Sequence, residues 1–172
     1  VTALERVKAL GVEGLEVLNE RDGLPTVRVP LTSLRGLLEG LAGACGFECP
    51  TLVTGMDHHP RSPRFEGIWQ FLSMAHKDRI RVRCMLDDSE PTAPTCTDLW
   101  PGAAYMEREC YDMFGIRFED HENLRRLLMP EGYGHFPLRK EFPHQGIEPD
   151  RLYREWERKR LERARAAEET QR

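Results

Sequence analysis

The chain is 172 residues long, with 40 % hydrophobic residues, 31 % charged residues and a formal net charge of -4. That length suits one well-buried domain plus a tail rather than two full domains, and the apolar content excludes a disordered chain. A mildly acidic chain gains nothing from a phosphate backbone, which excludes nucleic-acid binding as the default role.

Residues 2–10 predict a short amphipathic helix without the apolar core of a secretory signal. LEVLNERDGLPTVRVP follows and predicts a β-hairpin turning at Asp22-Gly23, a dipeptide that supplies the positive φ of a tight turn. LTSLRGLLEGLAGACGF predicts a helix with Thr32 or Ser33 as its cap, Leu34, Leu37, Leu38 and Leu41 facing the core, and Gly43 and Gly46 marking its end. Residues 34–47 are the richest apolar stretch, yet Arg35, Glu39 and four glycines interrupt it. A membrane span needs about 20 apolar residues in a row, so the expectation is a chain that stays in the cytosol and crosses no bilayer.

TLVTGM and FEGIWQFLSMA predict strands, and Ile80, Val82, Cys84 and Leu86 alternate with Arg79, Arg81, Arg83 and Met85 at the period of a third. The connection MAHKD is short enough for an antiparallel pair. Two readings stand for the arginine face: a solvated face that protects a sheet edge, or an electropositive patch for an acidic partner. Residues 87–94, DDSEPTAP, read as an exposed loop.

CTDLWPGAAYMERECYDMFG predicts a helix with Pro101 in its first turn and Gly115 just past its end. Ala103, Met106, Cys110, Met113 and Phe114 fall on its packing side, with Arg108, Glu109 and Asp112 towards a charged side. From residue 149 the chain predicts a charged helix with Asp150 as cap, i,i+4 pairs at Glu155/Lys159 and Arg158/Glu162, and a thin apolar stripe of Leu152, Tyr153, Trp156 and Leu161. The whole reads as an α+β fold: helices packed on a mostly antiparallel sheet in one domain over residues 1–143, then a charged C-terminal helical arm over 144–172, solvated or docked on a partner.

Candidate chemistry is sparse. The glycine-rich nucleotide loops, the Gly-x-Ser-x-Gly elbow and the His-Glu-x-x-His zinc motif do not occur in the sequence. Cys45, Cys49, Cys84, Cys96 and Cys110 are odd in number and irregular in spacing, which predicts reduced packing residues. Asp57-His58-His59 is the most metal-like stretch, but neighbouring histidines on a strand point to opposite faces, and a polar turn before Pro60 is the expectation. A stand-alone metal-dependent enzyme built on Asp57, His58 and His59 is the alternative from another functional class. Glu107 and Glu109 diverge by about 200° around a helix and would not act on one atom, while Arg108 and Asp112 offer an ordinary i,i+4 ion pair. His135, His144 and Cys110 lack a third group to orient them. Arg125-Arg126 and Arg139-Lys140 suit an anionic ligand or a neighbouring subunit.

Residues 107–143 hold eight acidic and six basic side chains together with six of the fourteen aromatics. Such a mixture suits a segment clamped between surfaces, with aromatics for buried contact and charges for register.

Three blocks in that segment carry a resemblance: Glu107-Arg108-Glu109-Cys110-Tyr111-Asp112-Met113-Phe114-Gly115, then His121 with Leu124-Arg125-Arg126-Leu127-Leu128, then Pro137-Leu138-Arg139-Lys140-Glu141-Phe142-Pro143. Their order resembles the signature region of the 30 kDa (C-type) subunit family of the NADH-quinone oxidoreductases, respiratory complex I. Thr97-Asp98-Leu99-Trp100-Pro101 and the surroundings of Asp57 fit that family too. The likeness is strong over residues 91–143 and looser over 31–86; Glu122 stands where the family often has proline, and Glu141 where aspartate is commoner.

The resemblance implies a peripheral-arm subunit with no cofactor of its own, in a complex whose other subunits carry FMN, iron-sulfur clusters and the NADH and quinone sites. Its implied partners are the quinone-site (D-like) subunit and the terminal iron-sulfur (B-like) subunit, with membrane association only through the complex, at the cytoplasmic face of the bacterial inner membrane. Related subunits serve ferredoxin-linked and hydrogenase-type complexes, so the donor stays open. The implied functional residues are the signature ones, as a subunit interface rather than a catalytic site. Arg108, Glu109 and Asp112 are expected to organise the turns after the helix, and Arg125, Arg126, Arg139 and Lys140 to pair with acidic groups of the quinone-site subunit.

Overall fold

The first two helices of the fold, separated by a strand pair, are held by different devices. α1 (Ala3–Lys8) carries a capping box in which the Thr2 hydroxyl accepts from Glu5 N–H while the Glu5 carboxylate accepts from Thr2 N–H. α2 (Leu31–Ala42) has no side-chain cap; Pro30 occupies the cap position with φ -66 and ψ 156, an extended geometry its ring favours. Thr32 and Ser33 therefore lie inside the first turn, and neither is the cap expected of them. Leu34, Leu37, Leu38 and Leu41 are fully buried as their spacing predicts, each contributing about 2 kcal/mol. The computed structural model describes residues 1–144, residue 146 and residues 154–162.

Five strands form one sheet: β1 (Glu16–Leu18), β2 (Thr26–Arg28), β3 (Cys49–Asp57), β4 (Phe65–Ser73) and β5 (Asp78–Met85), in the order β1-β2-β5-β4-β3. All neighbours are antiparallel except β2 with β5. The expected α+β class and mostly antiparallel sheet are both present. Phe65, Trp69 and Phe71 of β4 join Ile80, Val82 and Cys84 of β5 in the core with the α2 leucines. Trp100 lies 4.4 Å from Phe71, ring to ring, and donates its indole N–H to the Phe47 carbonyl at 2.8 Å. Arg6 ties α1 to β5 through two bonds to Asp78 at 2.8 and 3.0 Å.

Three expectations change. The arginine strand β5 is interior to the sheet, so its arginines do not protect an edge. Nor is the face an open electropositive patch, because Arg81 pairs with Asp22 at 2.6 Å and Arg83 with both Glu66 and Glu20. The hairpin is real, but Leu18 faces Thr26, so residues 19–25 form a wide loop in place of a tight turn. From this loop Glu20 and Asp22 reach Arg83 and Arg81. Finally, residues 87–90 are exposed, whereas Thr92–Pro94 form β6, paired in parallel with β7 (Arg117–Glu119).

Between β6 and β7 runs a 3-10 turn, Pro101–Ala103, that leads into α3 (Ala104–Phe114). A parallel pair needs such a crossover. α3 packs on β3, where Gly55 lets the helix end come close: a Cβ there would stand 2.5 Å from Ile116 Cδ1 and 3.1 Å from the Phe114 ring. Towards the C-terminus, residues 154–162 are helical, with Trp156 and Leu161 exposed. Asp150, Leu152 and Tyr153 lie outside the described residues. No described helix is long and apolar enough to cross a membrane.

These packing contrasts set an expectation for two glycines. Gly55→Ala should overpack the α3 junction and lower stability by about 1–3 kcal/mol. Gly36→Ala, at an α2 position where a Cβ meets nothing within 4 Å, should raise it by about 0.5–1 kcal/mol. Urea unfolding of both variants checks the opposite signs.

Candidate functional site

The last turn of α3 is the anchor for the segment that follows it. α3 stops at Gly115, whose φ of 76° is the left-handed geometry that glycine adopts freely. A Cβ at Gly115 would also stand 2.5 Å from Arg139 Nη2 and 2.8 Å from the Phe136 ring, so the position needs glycine for space as well. Asp112, one turn earlier, is fully buried. Its Oδ2 accepts three consecutive backbone N–H groups, from Leu127 at 3.0 Å, Leu128 at 2.6 Å and Met129 at 2.8 Å, and its Oδ1 accepts from Arg126 Nη1 at 2.8 Å.

Burial by itself would raise the Asp112 pKa, but the N–H of Met129, the guanidinium of Arg126 and the N–H groups of Leu128 and Leu127 outweigh it and hold the carboxyl below its usual range. The carboxylate thus organises a turn that has no regular secondary structure of its own. Arg108 completes it from the same helix, donating to the carbonyls of Arg125 at 3.2 Å and Arg126 at 3.1 Å. His121 adds a further tie: its Nδ1 accepts from Asn123 N–H at 3.0 Å, which leaves the proton on Nε2 to meet the Ala104 carbonyl at 3.2 Å. Glu107, also fully buried, reaches the opposite way and accepts from the Thr95 hydroxyl at 2.5 Å and Cys96 N–H at 2.8 Å.

The third signature block docks against the helix end and the β3–β4 hairpin. Leu138 N–H donates to the Met113 carbonyl at 3.1 Å and Arg139 Nε to the Phe114 carbonyl at 2.6 Å. Asp57, at the end of β3, pairs with Arg64 through bonds of 2.7 and 2.8 Å and accepts from Lys140 N–H at 2.8 Å. Arg64 also pairs with Glu141. The Arg64 guanidinium, aided by the N–H groups of Lys140 and His59, holds the Asp57 carboxyl far below its ordinary value.

Cations and rings alternate along this junction. Arg126 lies over Tyr133 and Phe136 at 5.8 and 5.1 Å, Arg139 over Phe136 and Phe65 at 4.4 and 4.9 Å, and Arg64 over Phe65 at 4.7 Å. Such contacts contribute about 0.5–2 kcal/mol each. Tyr111 meets Phe136 edge-on at 6.5 Å. Pro137 and Phe142 are half-buried and Pro143 is exposed, with Phe142 N–H bonded to the Arg139 carbonyl at 3.0 Å.

Several expected roles are redistributed. Asp112 is not on a charged stripe and forms no i,i+4 pair with Arg108; both turn to the following loop. Of the three groups expected to organise that loop, Arg108 and Asp112 do so, while Glu109 is exposed. Arg126 and Arg139 are engaged inside the chain, whereas Arg125 and Lys140 are exposed. His58 Nε2 meets Glu66 at 2.8 Å while His59 is exposed, and the carboxylates of Asp57 and Glu66 are each held by an arginine. Among the described residues no three ligand-type side chains converge as a metal site would require. A groove of about 450 Å³ lies beside α3, lined by Thr97, Tyr105, Arg108, Asp120, His121 and Glu122 among others, and both ring nitrogens of His121 there are engaged by backbone groups, of Ala104 and Asn123.

Phe65, Arg64 and Glu66 are the participants that sequence reasoning missed. Their signal lies in the β3–β4 register, where Asp57 faces Phe65 and His58 N–H donates to the Arg64 carbonyl at 2.8 Å. Spacing alone does not reveal that pairing.

Residues 27–148 match the model of the family described as respiratory-chain NADH dehydrogenase, 30 kDa subunit. A relative from Citrifermentans bemidjiense, named as the C subunit of an NADH-quinone oxidoreductase, is 37 % identical over 87 % of this chain and 91 % of its own. One from Aquifex aeolicus, named as a C/D subunit of such an oxidoreductase, is 48 % identical over 55 % of this chain and 16 % of its own. The chain spans about half the length of several other curated relatives. Among solved structures, a trypsin-resistant fragment of Nqo5 superposes with a TM-score of 0.65 at 31 % identity, covering 72 % of this chain and 100 % of that one. The fold also recurs in a chain of the membrane-bound sulfane sulfur reductase, an archaeal respiratory membrane complex, with a TM-score of 0.70 at 23 % identity over 82 % of this chain and 85 % of that one.

A carboxyl whose pKa is lower in the folded state stabilises above its unfolded pKa of about 4, and that contribution fades as pH falls through the folded value. Asp112→Asn should therefore cost about 3 kcal/mol near pH 7, because it leaves Arg126 without its counter-charge. The gap between wild type and variant should narrow as the pH drops from about 5 towards 3. Urea midpoints across that range, with the rate of proteolysis in residues 121–143 as a local probe, test both parts.

Proposed function

The chain belongs to the 30 kDa subunit family of respiratory-chain NADH dehydrogenases, and on that premise we propose that it is a cofactor-free structural subunit of the peripheral arm of a proton-translocating NADH-quinone oxidoreductase. Electron transfer from NADH through FMN and iron-sulfur clusters to quinone belongs to the neighbouring subunits. This chain's part is to present a fixed surface to them.

The observation that carries the reading is how the signature residues are spent. Asp112, Arg108 and Arg126 hold the backbone of an irregular segment in place, and the contact between Asp112 and Arg126 is part of that scaffold. Rigid irregular backbone is suited to recognition by a partner, since the ordering cost is met before binding. Four of the five thiols serve as packing: burial pushes Cys84 up to about 12 and Cys45, Cys96 and Cys110 also upward, as for structural cysteines in a core.

The partners of this reading are the D-like quinone-site subunit and the B-like iron-sulfur subunit. The relative from Aquifex aeolicus is named as a single C/D protein, which supports a direct neighbour relationship between this domain and a D-like one. Peripheral attachment at the cytoplasmic face of the bacterial inner membrane follows from the same assembly. The sulfane sulfur reductase likeness favours a second reading, an equivalent subunit in a complex fed by another donor; the donor is then chosen by other chains.

Purifying the tagged chain from native membranes in mild detergent, followed by mass spectrometry, should recover quinone-site, iron-sulfur and NADH-binding subunits together. Recovery of ferredoxin-linked or hydrogenase-type partners without an NADH-binding subunit would transfer the chain to the second reading. Recovery of the chain alone would overturn both.

A further inference from the structure

An antiparallel sheet with its core on one face and water on the other alternates apolar inward with polar outward. β5 obeys that rule with its outward arginines, but β3 and β4 do not. By their register Cys49 stands beside Leu72, Leu52 beside Gln70 and Thr54 beside Ile68, on the face opposite the core residues Val53, Trp69 and Phe71. Met56 and Met74 continue the two rows at the next alternate positions. Leu52, Met56 and Met74 are 36 %, 40 % and 66 % exposed, and Cys49 is exposed beside them. With strands about 4.8 Å apart and a rise of about 3.3 Å per residue, these side chains form one strip about 20 Å long and about 10 Å wide. A contiguous surface of leucine and methionine marks a protein contact.

At the β4–β5 turn the strip ends in a shallow depression of about 610 Å³, lined by Leu72, Ser73, Met74, Lys77, Asp78 and Arg79. Both oxygens of Asp78 are held by Arg6, and the Glu48 carboxylate accepts from Met74 N–H at 2.8 Å. Lys77 and Arg79 have no ion pair or side-chain hydrogen bond among the described residues, whereas Arg81 and Arg83 further along β5 are engaged by Asp22, Glu20 and Glu66. With Arg6 included, three cations stand against two carboxylates at this end, and Lys8 and Glu5 of α1 beyond them cancel. The surplus is positive, and the cations that carry it are the ones without a partner.

We propose that this strip is the docking site for an amphipathic helix of a partner protein, lying along β3 and β4 with its apolar stripe on Leu52, Leu72 and Met74 and with carboxylates at the end that reaches Lys77 and Arg79. The strip has the width of one helix with its side chains, about 10 Å, and the length of about four turns. A helix laid on an apolar track is held by its apolar anchors at i, i+3/i+4 and i+7, and the charged end fixes which way round it lies. A partner without carboxylates there would bury the two cations with no counter-charge, at a cost. The site uses none of the signature residues and rests on the assembled state of the subunit reading above, without depending on the electron donor.

Cys49 lies on the strip while the other four thiols are buried, so it reports directly on whether the face is covered. The rate of maleimide labelling at Cys49 is measured in the purified chain and in the assembly isolated from native membranes with the full tagged chain. Labelling should be at least about tenfold slower in the assembly, and Lys77→Glu/Arg79→Glu should restore the fast rate while the thermal midpoint of the purified variant stays at the wild-type value. Carbodiimide coupling of the Lys77 amine to a partner carboxylate, read by mass spectrometry, should return a peptide with apolar residues at helical spacing and Asp or Glu at one end; Lys77→Arg should abolish that product. Equal labelling of Cys49 in the chain and in an assembly that retains its other subunits would overturn the proposal and leave the subunit reading intact. Protection that survives the charge reversal, or a coupled peptide without a helical apolar stripe, would overturn it as well, and so would a midpoint lowered by both Lys77→Glu/Arg79→Glu and Lys77→Gln/Arg79→Gln. Protection in the purified chain that disappears on dilution would make a second copy the occupant, against the proposal. Isolation of the wild-type chain alone would instead remove the subunit reading and this inference with it.

Discussion

One buried carboxylate decides the shape of the region that distinguishes this protein. Asp112 stands on the last turn of α3 with no access to solvent, and four donors converge on it, three of them successive backbone N–H groups. An ionised group in such a place is tolerable only when its hydrogen-bonding capacity is met. The converse also holds: three consecutive N–H groups pointing inward cannot be satisfied by helix or sheet geometry, and need an anion at their centre. Helix end and loop therefore require each other.

From that constraint follows the mixture of charge and aromatic surface in residues 107–143. The arginine that balances Asp112 is stacked on Tyr133 and Phe136, Phe136 is shared with Arg139, and Phe65 passes the contact on to Arg64 and so to Asp57. Rings exclude water from the guanidinium planes, and the cations fix where the rings lie. The two ends of this alternation are buried carboxylates, Asp112 on the helix and Asp57 on the sheet. A segment that would otherwise be free in water is thereby fastened to both layers of the domain, with Leu128 and Leu138 left on its outside.

The sheet repeats this use of charge on a smaller scale. Glu66 is fully buried beneath Arg83 and His58; burial would raise its pKa, and those two neighbours bring it below the ordinary value. Glu20 and Asp22, on the wide β1–β2 loop, reach Arg83 and Arg81. Charged residues that look like a surface patch in one dimension act as ties between loops and sheet in three. Asp57, the one acidic residue of the stretch that looked most like a metal site, is likewise held by an arginine, Arg64.

Periodicity was enough to place the helices and long strands, because a buried stripe at 3.6 or 2 residues is a local pattern: the four leucines of α2 and the alternation of β5 are legible without any partner. Gly115 likewise ended α3 as its backbone preference predicted, whereas Pro101, expected in the first turn of that helix, opens the 3-10 turn that precedes it. The three signature blocks were legible as a resemblance, and so was the family. What the line of residues does not contain is which charges meet, since ion pairs such as Asp57 with Arg64, Asp112 with Arg126 and Glu66 with Arg83 depend on strand register and on the path of the chain after α3. Helical geometry put Asp112 and Arg108 one turn apart and suggested a pair; only packing of the later loop against the helix could turn both away from each other. The sequence by itself determined the elements, the core and the kinship. Tertiary structure decided which cations are committed inside the chain and which remain on its surface, because that outcome depends on burial, and burial is a property of the whole fold.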